Sequence, residues 1–295
     1  MLSTFFSLAN LVNVALSVAI VGIMSVGMTA IILTGGIDLS VGSVVALSGV
    51  VAALAARALE PTMGGLAATL VAIAAAILVG VATGAVTATS VASLRIPSFL
   101  VTLALLTICR GLAFLFSGGR SIGDLPTAFG WLGQAKLAGC PIPILVMLLI
   151  VAIGWFVLTR TTWGRWVYAV GGNEQAAWLA GVPTRAVTAW VYLANGALVG
   201  LAGAVMASRL GAGVPNAGLQ YELDVIAAVV IGGTALTGGR GGVLGTLIGA
   251  VCIGALNNAL NLADVDPAMQ RVVSGVVILG AVVAERARSA LSARA

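Results

Sequence analysis

Long apolar runs separated by short polar breaks make up almost the whole chain, and apolar residues within a run are continuous rather than alternating with polar ones. Residues 12–34, VNVALSVAIVGIMSVGMTAIILT, are typical. About 20 such residues cross the roughly 30 Å hydrocarbon core as a helix, and only helices or closed barrels satisfy every backbone group in lipid. The pattern therefore predicts an all-α, polytopic membrane protein that forms one transmembrane domain over residues 1–295.

Nine apolar runs are candidate spans. Two of them, 41–57 and 223–237, are short for a full crossing, and each adjoins a glycine-rich turn, at 35–42 and 232–242. These two runs predict broken helices or half-spans, which commonly line a solute path. The nine spans are residues 12–34, 41–57, 65–91, 98–116, 143–159, 186–208, 223–237, 242–262 and 269–285.

The two glycine-rich turns lie in similar segments. Residues 30–49 and 228–249 both run apolar, then Gly-Gly, then small and polar, then apolar again. Duplicated halves are common in transporters. Chance similarity in a sequence rich in Gly, Ala and Val explains the likeness equally well.

Charge is scarce and sets the orientation. Charged residues make up 8% of the chain, against about 25% in a soluble domain, and the basic ones are too scattered for nucleic-acid binding. Nine spans place the termini on opposite sides. A cytoplasmic C-terminus puts most arginines, including Arg160, Arg165 and Arg185, on the cytoplasmic face, as the positive-inside rule expects. The N-terminus is then outside, and the polar segment 159–186 is cytoplasmic.

That polar segment contains a short helix signal. Asn173 is a good N-cap, EQAAWLA at 174–180 is helix-forming with an acid in its first turn, and Gly181 followed by Pro183 ends the helix. Two turns are too short to be stable alone and need a surface. Local chemistry leaves two interpretations open: a helix that docks on a cytoplasmic partner, or one that lies on lipid headgroups.

Asp38 lies between two strongly apolar segments, where an acid is a functional candidate. Three roles stay open for it: a cap of the following helix, a residue that lines the solute path, or a proton relay. Gly35, Gly36 and Gly42 around it permit tight turns and close backbone approach.

The sequence indicates no catalytic site, no metal site and no cofactor bound by this chain. The glycine-rich loop around Arg240 lacks GK[ST], and the single lysine, Lys136, has no P-loop context. Glu222 and Asp224 open the short seventh run, whose N-terminal end favours negative charge. The chain has no His, and its three Cys lack metal or redox spacing. ATP, if it is used, is bound by another polypeptide.

Uncharged amides mark the outer part of the eighth run. Asn257 and Asn261 are four residues apart and share a helix face. Amides inside a bundle can bind sugar hydroxyls or tie helices together, and Asn195 in the sixth run carries the same ambiguity.

These segments together resemble the permease subunits of bacterial ATP-binding-cassette importers for monosaccharides, the ribose/xylose/galactose permease family. The matching stretches cover nearly the whole chain in order and spacing. They are NLVN (10–13), GMTAIILTGGIDLSVGSVVALSG (27–49), GRWVYAVGGNEQAAWLAGV (164–182), YELDVIAAVVIGGTALTGGRGGVLGTLIGA (221–250) and LNNALNL (256–262).

The resemblance implies a multi-pass protein of the inner membrane with several partners. These are a second permease copy (the same chain or a paralogue), a cytoplasmic ATPase with paired cassettes that carries ATP and Mg²⁺, and a periplasmic or lipid-anchored sugar-binding protein. It also implies a cytoplasmic coupling loop at about 160–186, where the ATPase-contacting residues are Gly171, Gly172, Asn173, Glu174, Gln175, Trp178 and Gly181. Residues expected on the translocation path are Asp38, Ser40, Asn195, Asn257 and Asn261.

Family members usually carry one further hydrophobic helix before the NLxN stretch, which would give ten spans. The expectation is that this first helix is missing here, through a late start site or a shortened form.

The sequence thus predicts a permease, not an enzyme, that passes a small neutral sugar such as a pentose or hexose into the cytoplasm. A core with few charges suits a neutral solute, because fixed charge at membrane depth is costly. The alternative is an ion-coupled secondary transporter, for which Asp38 is the only credible ion-coupling group. A membrane-embedded enzyme is disfavoured, because no catalytic residues cluster.

Overall fold

The computed structural model of the protein describes residues 5–292 and the surroundings of side chains over residues 5–283. Twelve α-helices follow one another in the described residues, with a π-helical turn at Thr89–Ser93 and a two-residue hairpin of β1 (Lys136–Leu137) and β2 (Cys140–Pro141). The helices are α1 Leu8–Leu33, α2 Val41–Met63, α3 Gly65–Ala88, α4 Ser98–Ser117, α5 Thr127–Gln134, α6 Ile142–Arg160, α7 Thr162–Gly172, α8 Glu174–Leu179, α9 Thr184–Leu210, α10 Tyr221–Ile231, α11 Val243–Leu262 and α12 Pro267–Ser292.

Within the described residues, seven helices are long and apolar enough to cross a membrane: α1, α2, α3 with its π-helical end, α4, α6, α9 and α11. Two predicted runs give shorter apolar helices, because α10 has 11 residues and the apolar part of α12 is Pro267–Val283. For the second run, the prediction of a broken helix or half-span is wrong: α2 continues through Pro61 to Met63 and is long enough to cross a membrane. The all-α, polytopic class is confirmed, and the count of nine crossings stays a prediction. The C-terminal residue Ala295 lies outside the described residues.

Three helices form the centre of the bundle. In the most apolar part of α1, 89% of the residues are buried, and in α2 and α9 the share is 72%. In α3, α4, α6 and α11 it lies between 22% and 28%. The outer helices expose large apolar side chains such as Leu78, Leu103 and Phe156. A helix that is apolar all round suits hydrocarbon on its outer side.

Small residues allow α3 and α9 to pack backbone to backbone. Gly80 and Gly84 of α3 face Gly196 and Gly200 of α9, so that each helix contributes glycines four residues apart. A methyl group on Gly80 would overlap the carbonyl oxygen of Gly196 and lie 2.8 Å from the amide nitrogen of Gly200. Lipid supplies little hydrophobic drive between helices, so this close van der Waals contact is a main source of association.

Segment 211–220 is re-entrant: it leaves the end of α9 and turns back into the bundle beside α2. Gly213 lies against Val50 and Ala53, whereas Gly218 lies against Gly42 near the beginning of α2. The part of α2 between Gly42 and Val50 is about 12 Å long at 1.5 Å per helical residue, and the segment returns along that length. Helix α10 therefore begins inside the bundle, and the short seventh run is a half-helix.

A half-buried cation fixes this re-entrant segment. The Arg110 guanidinium on α4 donates hydrogen bonds to the carbonyl oxygens of Pro215 and Ala217, each 2.8 Å long. These bonds satisfy backbone groups that lie in neither a helix nor a strand, which is the condition for irregular chain at membrane depth.

Candidate functional site

The polar segment folds into two short helices with well-formed caps. Thr161 caps α7, its hydroxyl accepting from the Gly164 N–H at 3.2 Å. Asn173 caps α8, its side-chain oxygen accepting from the Ala176 N–H at 2.9 Å. The predicted cap at Asn173 and the helix that follows it are confirmed. Helix α7, over Thr162–Gly172, was not predicted separately.

Helix α8 ends as its sequence predicts. Gly181 adopts a left-handed conformation with φ of +84°, and its N–H donates to the Trp178 carbonyl while the Val182 N–H donates to that of Ala177. These two bonds form a Schellman motif. Every side chain of α8 except Ala177 is exposed, and Trp178 and Leu179 are 65% and 73% exposed. A helix this short with two large apolar side chains in the open is suited to contact another surface.

A junction of glycines joins α7 to the rest of the bundle. Gly171 packs directly on the carbonyl oxygen of Leu33 at the end of α1, and the N–H of Gly239 donates to that same oxygen at 2.9 Å. Gly238 lies against both Gly171 and Gly35. The two similar segments noted in the sequence thus meet at their glycine turns. We call Leu33, Gly35, Gly171, Gly238 and Gly239 the glycine junction.

Tyr168 of α7 adds a second link to the same loop. Its hydroxyl donates a 2.9 Å hydrogen bond to the carbonyl oxygen of Gly241. Burial raises the pKa of the Tyr168 hydroxyl above its usual range, so the group remains a donor at neutral pH. Helix α7 is therefore held both to the end of α1 and to the loop between α10 and α11.

A cleft of about 1260 Å³ opens beside α8. Asn173, Glu174, Gln175 and Trp178 line one side of it. Other lining residues come from the turn after α1, the segment around the π-helical turn and the beginning of α9, and include Gly36, Arg95, Pro97, Arg185 and Tyr192. Four of the seven predicted coupling residues therefore share one open concave surface.

Three of the predicted path residues form a buried cluster. One carboxylate oxygen of Asp38 accepts from the N–H and the hydroxyl of Ser40, at 2.8 and 2.6 Å, and the other accepts from the Asn195 amide at 2.9 Å. The cap residue of α2 is Ser40, and Asp38 binds its N–H from two residues earlier. The cavity beside the cluster measures about 10 Å³, which is room for about one water molecule.

The other two path residues lie elsewhere. Asn257 and Asn261 line a separate cavity of about 120 Å³ between α1, α10 and α11. The structure thus divides the predicted path residues into two groups that do not share a cavity.

Sequence reasoning missed two polar contacts between helices. Asn10 and Asn258 exchange two side-chain hydrogen bonds of 2.8 and 3.0 Å between α1 and α11. The hydroxyls of Thr29 and Thr246 lie 2.8 Å apart between the same helices. Asn10 and Asn258 lie in the quoted NLVN and LNNALNL stretches, but a single sequence carries no signal that pairs them.

No group of three or more His, Cys, Asp or Glu side chains that could hold a metal ion occurs in the part of the chain that the structure describes. The polar groups that converge are hydroxyls, amides and single carboxylates, which can bind hydroxyl-bearing solutes through hydrogen bonds.

The family profile and the similar proteins that match this chain are all named as transport permeases. The profile of the family described as "Branched-chain amino acid transport system / permease component" matches residues 10–282. The ribose import permease protein of Escherichia coli strain K12 is 43% identical over 285 residues, covering 95% of this chain and 87% of that protein. The corresponding protein of Bacillus subtilis strain 168 is 42% identical over 294 residues, 97% of this chain and 88% of that protein.

A third relative is named for a different sugar. The L-arabinose transport system permease protein of Escherichia coli strain K12 is 36% identical over 282 residues, 96% of this chain and 84% of that protein. No solved structure matches this chain significantly.

Proposed function

The chain belongs to the branched-chain amino acid transport system / permease component family, and we propose that within it the chain is the membrane-spanning subunit of an importer that passes a small neutral sugar into the cell. It is a multi-pass inner-membrane protein of the ATP-binding-cassette permease class. The relatives named for ribose and arabinose support a monosaccharide as the solute. The single observation that carries the mechanism is the exposed helix α8, fixed to the bundle through the glycine junction.

The proposed partners are those of an importer of the class to which the matched relatives belong. This chain has no P-loop lysine, so ATP and Mg²⁺ are bound by a separate cytoplasmic ATPase, with paired cassettes, that contacts α8 and the adjacent cleft. A periplasmic or lipid-anchored sugar-binding protein delivers the solute to the opposite face. A second permease copy, identical or a paralogue, completes the core. The polar segment is cytoplasmic in this arrangement, as is the C-terminus.

We propose that motion passes through backbone contacts. When the cassettes close on ATP, they push on α8, and α7 transmits that displacement through Gly171 to Leu33 and Gly239. Leu33 ends α1, and Gly239 lies in the loop that joins α10 to α11. Because these groups are packed backbone to backbone, they move together rather than yielding at a side chain.

Glu174→Arg is expected to weaken ATPase association about tenfold while leaving insertion and fold unchanged. Glu174 is the only acid in the polar segment and is exposed in the first turn of α8, so reversal alters the charge of the docking surface. The measurement is co-purification of the ATPase with the tagged permease, titrated with ATPase.

Glu60→Arg is the matched control, because it reverses an exposed acid near the end of α2, far from the cleft. It should leave association unchanged. Undiminished ATPase binding by the Glu174 variant would count against docking at α8.

The alternative is an ion-coupled transporter that titrates Asp38, and Asp38→Asn separates the two. An asparagine at position 38 keeps a side-chain oxygen that can accept from Ser40. The side-chain oxygen of Asn195 has no hydrogen-bond partner. If the Asn195 amide rotates, that oxygen can accept from the introduced side-chain amide. We expect uptake to remain within about threefold of the unsubstituted permease, because every hydrogen bond can be rebuilt.

The measurement is sugar uptake into sealed vesicles, driven either by ATP or by an imposed ion gradient. Asp38→Leu is the control that removes the acceptors and should lower the amount of folded protein. Uptake that follows the gradient, ignores ATP and is lost in Asp38→Asn would establish the ion-coupled alternative.

A further inference from the structure

The cavity between α1, α10 and α11, which we call the asparagine cavity, is large enough to hold a monosaccharide. Its polar lining consists of Ser17, Tyr221, Asp224, Asn257, Asn258 and Asn261. Its volume is about 120 Å³. At roughly 10–15 Å³ for each water-sized occupant, it accommodates about ten non-hydrogen atoms, which is the size of a simple sugar. The cavity beside Asp38 is about 10 Å³. Size therefore separates the two groups of path residues: of these two cavities, the asparagine cavity has space for a solute and the cavity beside Asp38 does not.

Some polar groups of the asparagine cavity already have a hydrogen-bond partner within the protein, and others do not. Asn258 is paired with Asn10, Asn261 accepts from the Gln270 amide at 3.0 Å, and the Ser17 hydroxyl donates to a backbone carbonyl. Among the described residues, the side chains of Asp224 and Asn257 form no hydrogen bond. A carboxylate accepts and an amide both donates and accepts, which together match the donor and acceptor character of sugar hydroxyls.

The apolar part of the lining completes a surface suited to a sugar. Val18, Val21 and Ile253 line the same cavity. Small-molecule sites are mostly apolar, with a few polar groups that fix the orientation of the ligand. The aliphatic face of a pyranose or furanose ring can rest on these side chains while its hydroxyls reach Asp224 and Asn257.

The position of the cavity connects it to the coupling segment. Asp224 lies in the first turn of the half-helix α10, which begins inside the bundle, and the loop after α10 contributes Gly238 and Gly239 to the glycine junction. The cavity also contacts α1 at Ser17, about 24 Å along the helix from Leu33. Broken-helix ends inside the bundle are common solute sites in transporters. Both α1 and α10 thus reach from the cavity to the junction.

We propose that the asparagine cavity is a monosaccharide-contact site of the permease itself, with Asp224 and Asn257 binding the sugar hydroxyls. The proposal rests on the proposed import function and deepens it. In this arrangement Asp38, Ser40 and Asn195 hold helices together and do not contact the sugar.

The first test is Asn257→Ala in sealed vesicles that contain the complete importer, with ribose and arabinose as probes. Loss of its hydrogen bonds to the solute should lower the rate of ATP-driven uptake about tenfold at an unchanged permease level. Cys252→Ala is the control, since Cys252 is exposed on the same helix outside the cavity lining. It should leave uptake unchanged. Equal uptake by the Asn257 variant and the unsubstituted permease would overturn the proposal.

The second test does not depend on a stability effect. Asn257→Cys is introduced into a chain in which Cys109, Cys140 and Cys252 are alanine, and a small hydrophilic methanethiosulfonate is applied. Because cysteine lacks the amide, uptake before modification should equal that of the Asn257→Ala variant. It should fall at least about tenfold further after modification, and return to its earlier level when a reducing agent removes the adduct. A chain that retains Cys252 alone should keep its uptake throughout. Full uptake by the modified Asn257→Cys protein, or a cysteine that the reagent never reaches, would overturn the site.

Failure of the import function has a different signature. If the unsubstituted permease with its ATPase and binding protein imports neither sugar, the proposed function fails and this site falls with it. If the unsubstituted permease imports sugar and the Asn257 variants behave like it, only the site is wrong.

Discussion

Replacing Gly171 with alanine is expected to lower ATP-driven sugar uptake at least about tenfold, through a backbone clash that no side-chain rotation relieves. A methyl group at this position would overlap the carbonyl oxygen of Leu33 and lie 2.6 Å from the amide nitrogen of Gly239. These atoms belong to the end of α1 and the loop before α11. The substitution therefore forces α7 away from both and breaks the contact by which α8 is proposed to move them.

Gly172→Ala is the matched control, because its added methyl group meets no heavy atom within 4 Å. The Gly172 variant should leave uptake essentially unchanged for each ATPase bound. Gly172 is also predicted to contact the ATPase, and co-purification reports that contact separately. The measurement is uptake by both variants in vesicles, normalised to the amount of permease, together with ATPase co-purification. We expect the Gly171 variant to bind the ATPase and hydrolyse ATP without importing sugar. Equal uptake by the two variants would contradict transmission through the glycine junction.

Replacing Gly80 with alanine is expected to destabilise the bundle by about 1–3 kcal/mol, the usual cost of overpacking a close contact. The added methyl group would overlap the Gly196 carbonyl oxygen and meet the backbone nitrogen of Gly200. Both obstacles are backbone atoms, so α3 and α9 must move apart along their shared face. Since α9 also carries Asn195, its displacement weakens the hydrogen bond to Asp38.

The measurement for Gly80→Ala is thermal unfolding in detergent. Gly111→Ala in α4 serves as the control, because a methyl group there meets nothing within 4 Å. The control should keep or slightly raise stability, since alanine favours a helix over glycine. A Gly80 variant as stable as the Gly111 variant would show that α3 and α9 do not depend on close glycine packing.

Local signals in the sequence predicted the local structure well. Asn173 and Gly181 begin and end α8 because an N-cap and a left-handed glycine act within a few residues. The apolar runs predicted the long helices for a similar reason, since each run alone must satisfy its backbone in lipid.

Contacts between segments that are distant in the chain could not be predicted from the sequence. The turn at Gly35 and the loop at Gly238 were both recognised as glycine-rich, yet nothing in either stretch indicates that they meet at Gly171. The return of segment 211–220 into the bundle depends on Arg110, which is 105 residues away from Pro215 in the chain. Close packing of this kind is a property of three-dimensional assembly, and a single sequence carries no pairing information about it.

For the candidate site too, the sequence predicted the types of residue involved but not which of them lie together. The sequence predicted one group of path residues: Asp38, Ser40, Asn195, Asn257 and Asn261. The structure assigns the first three to a cluster beside a very small cavity, and the last two to the asparagine cavity. Residue type indicated which side chains can bind a hydroxyl, but only the arrangement of α1, α10 and α11 shows which of them face open space.

Accumulation of labelled sugar in sealed proteoliposomes that contain the permease, its binding protein and its ATPase shows whether ATP hydrolysis drives import. We expect accumulation above the external concentration when ATP is hydrolysed, and none with a non-hydrolysable nucleotide or without the ATPase. Accumulation by the permease with no nucleotide hydrolysis in the preparation would contradict this expectation.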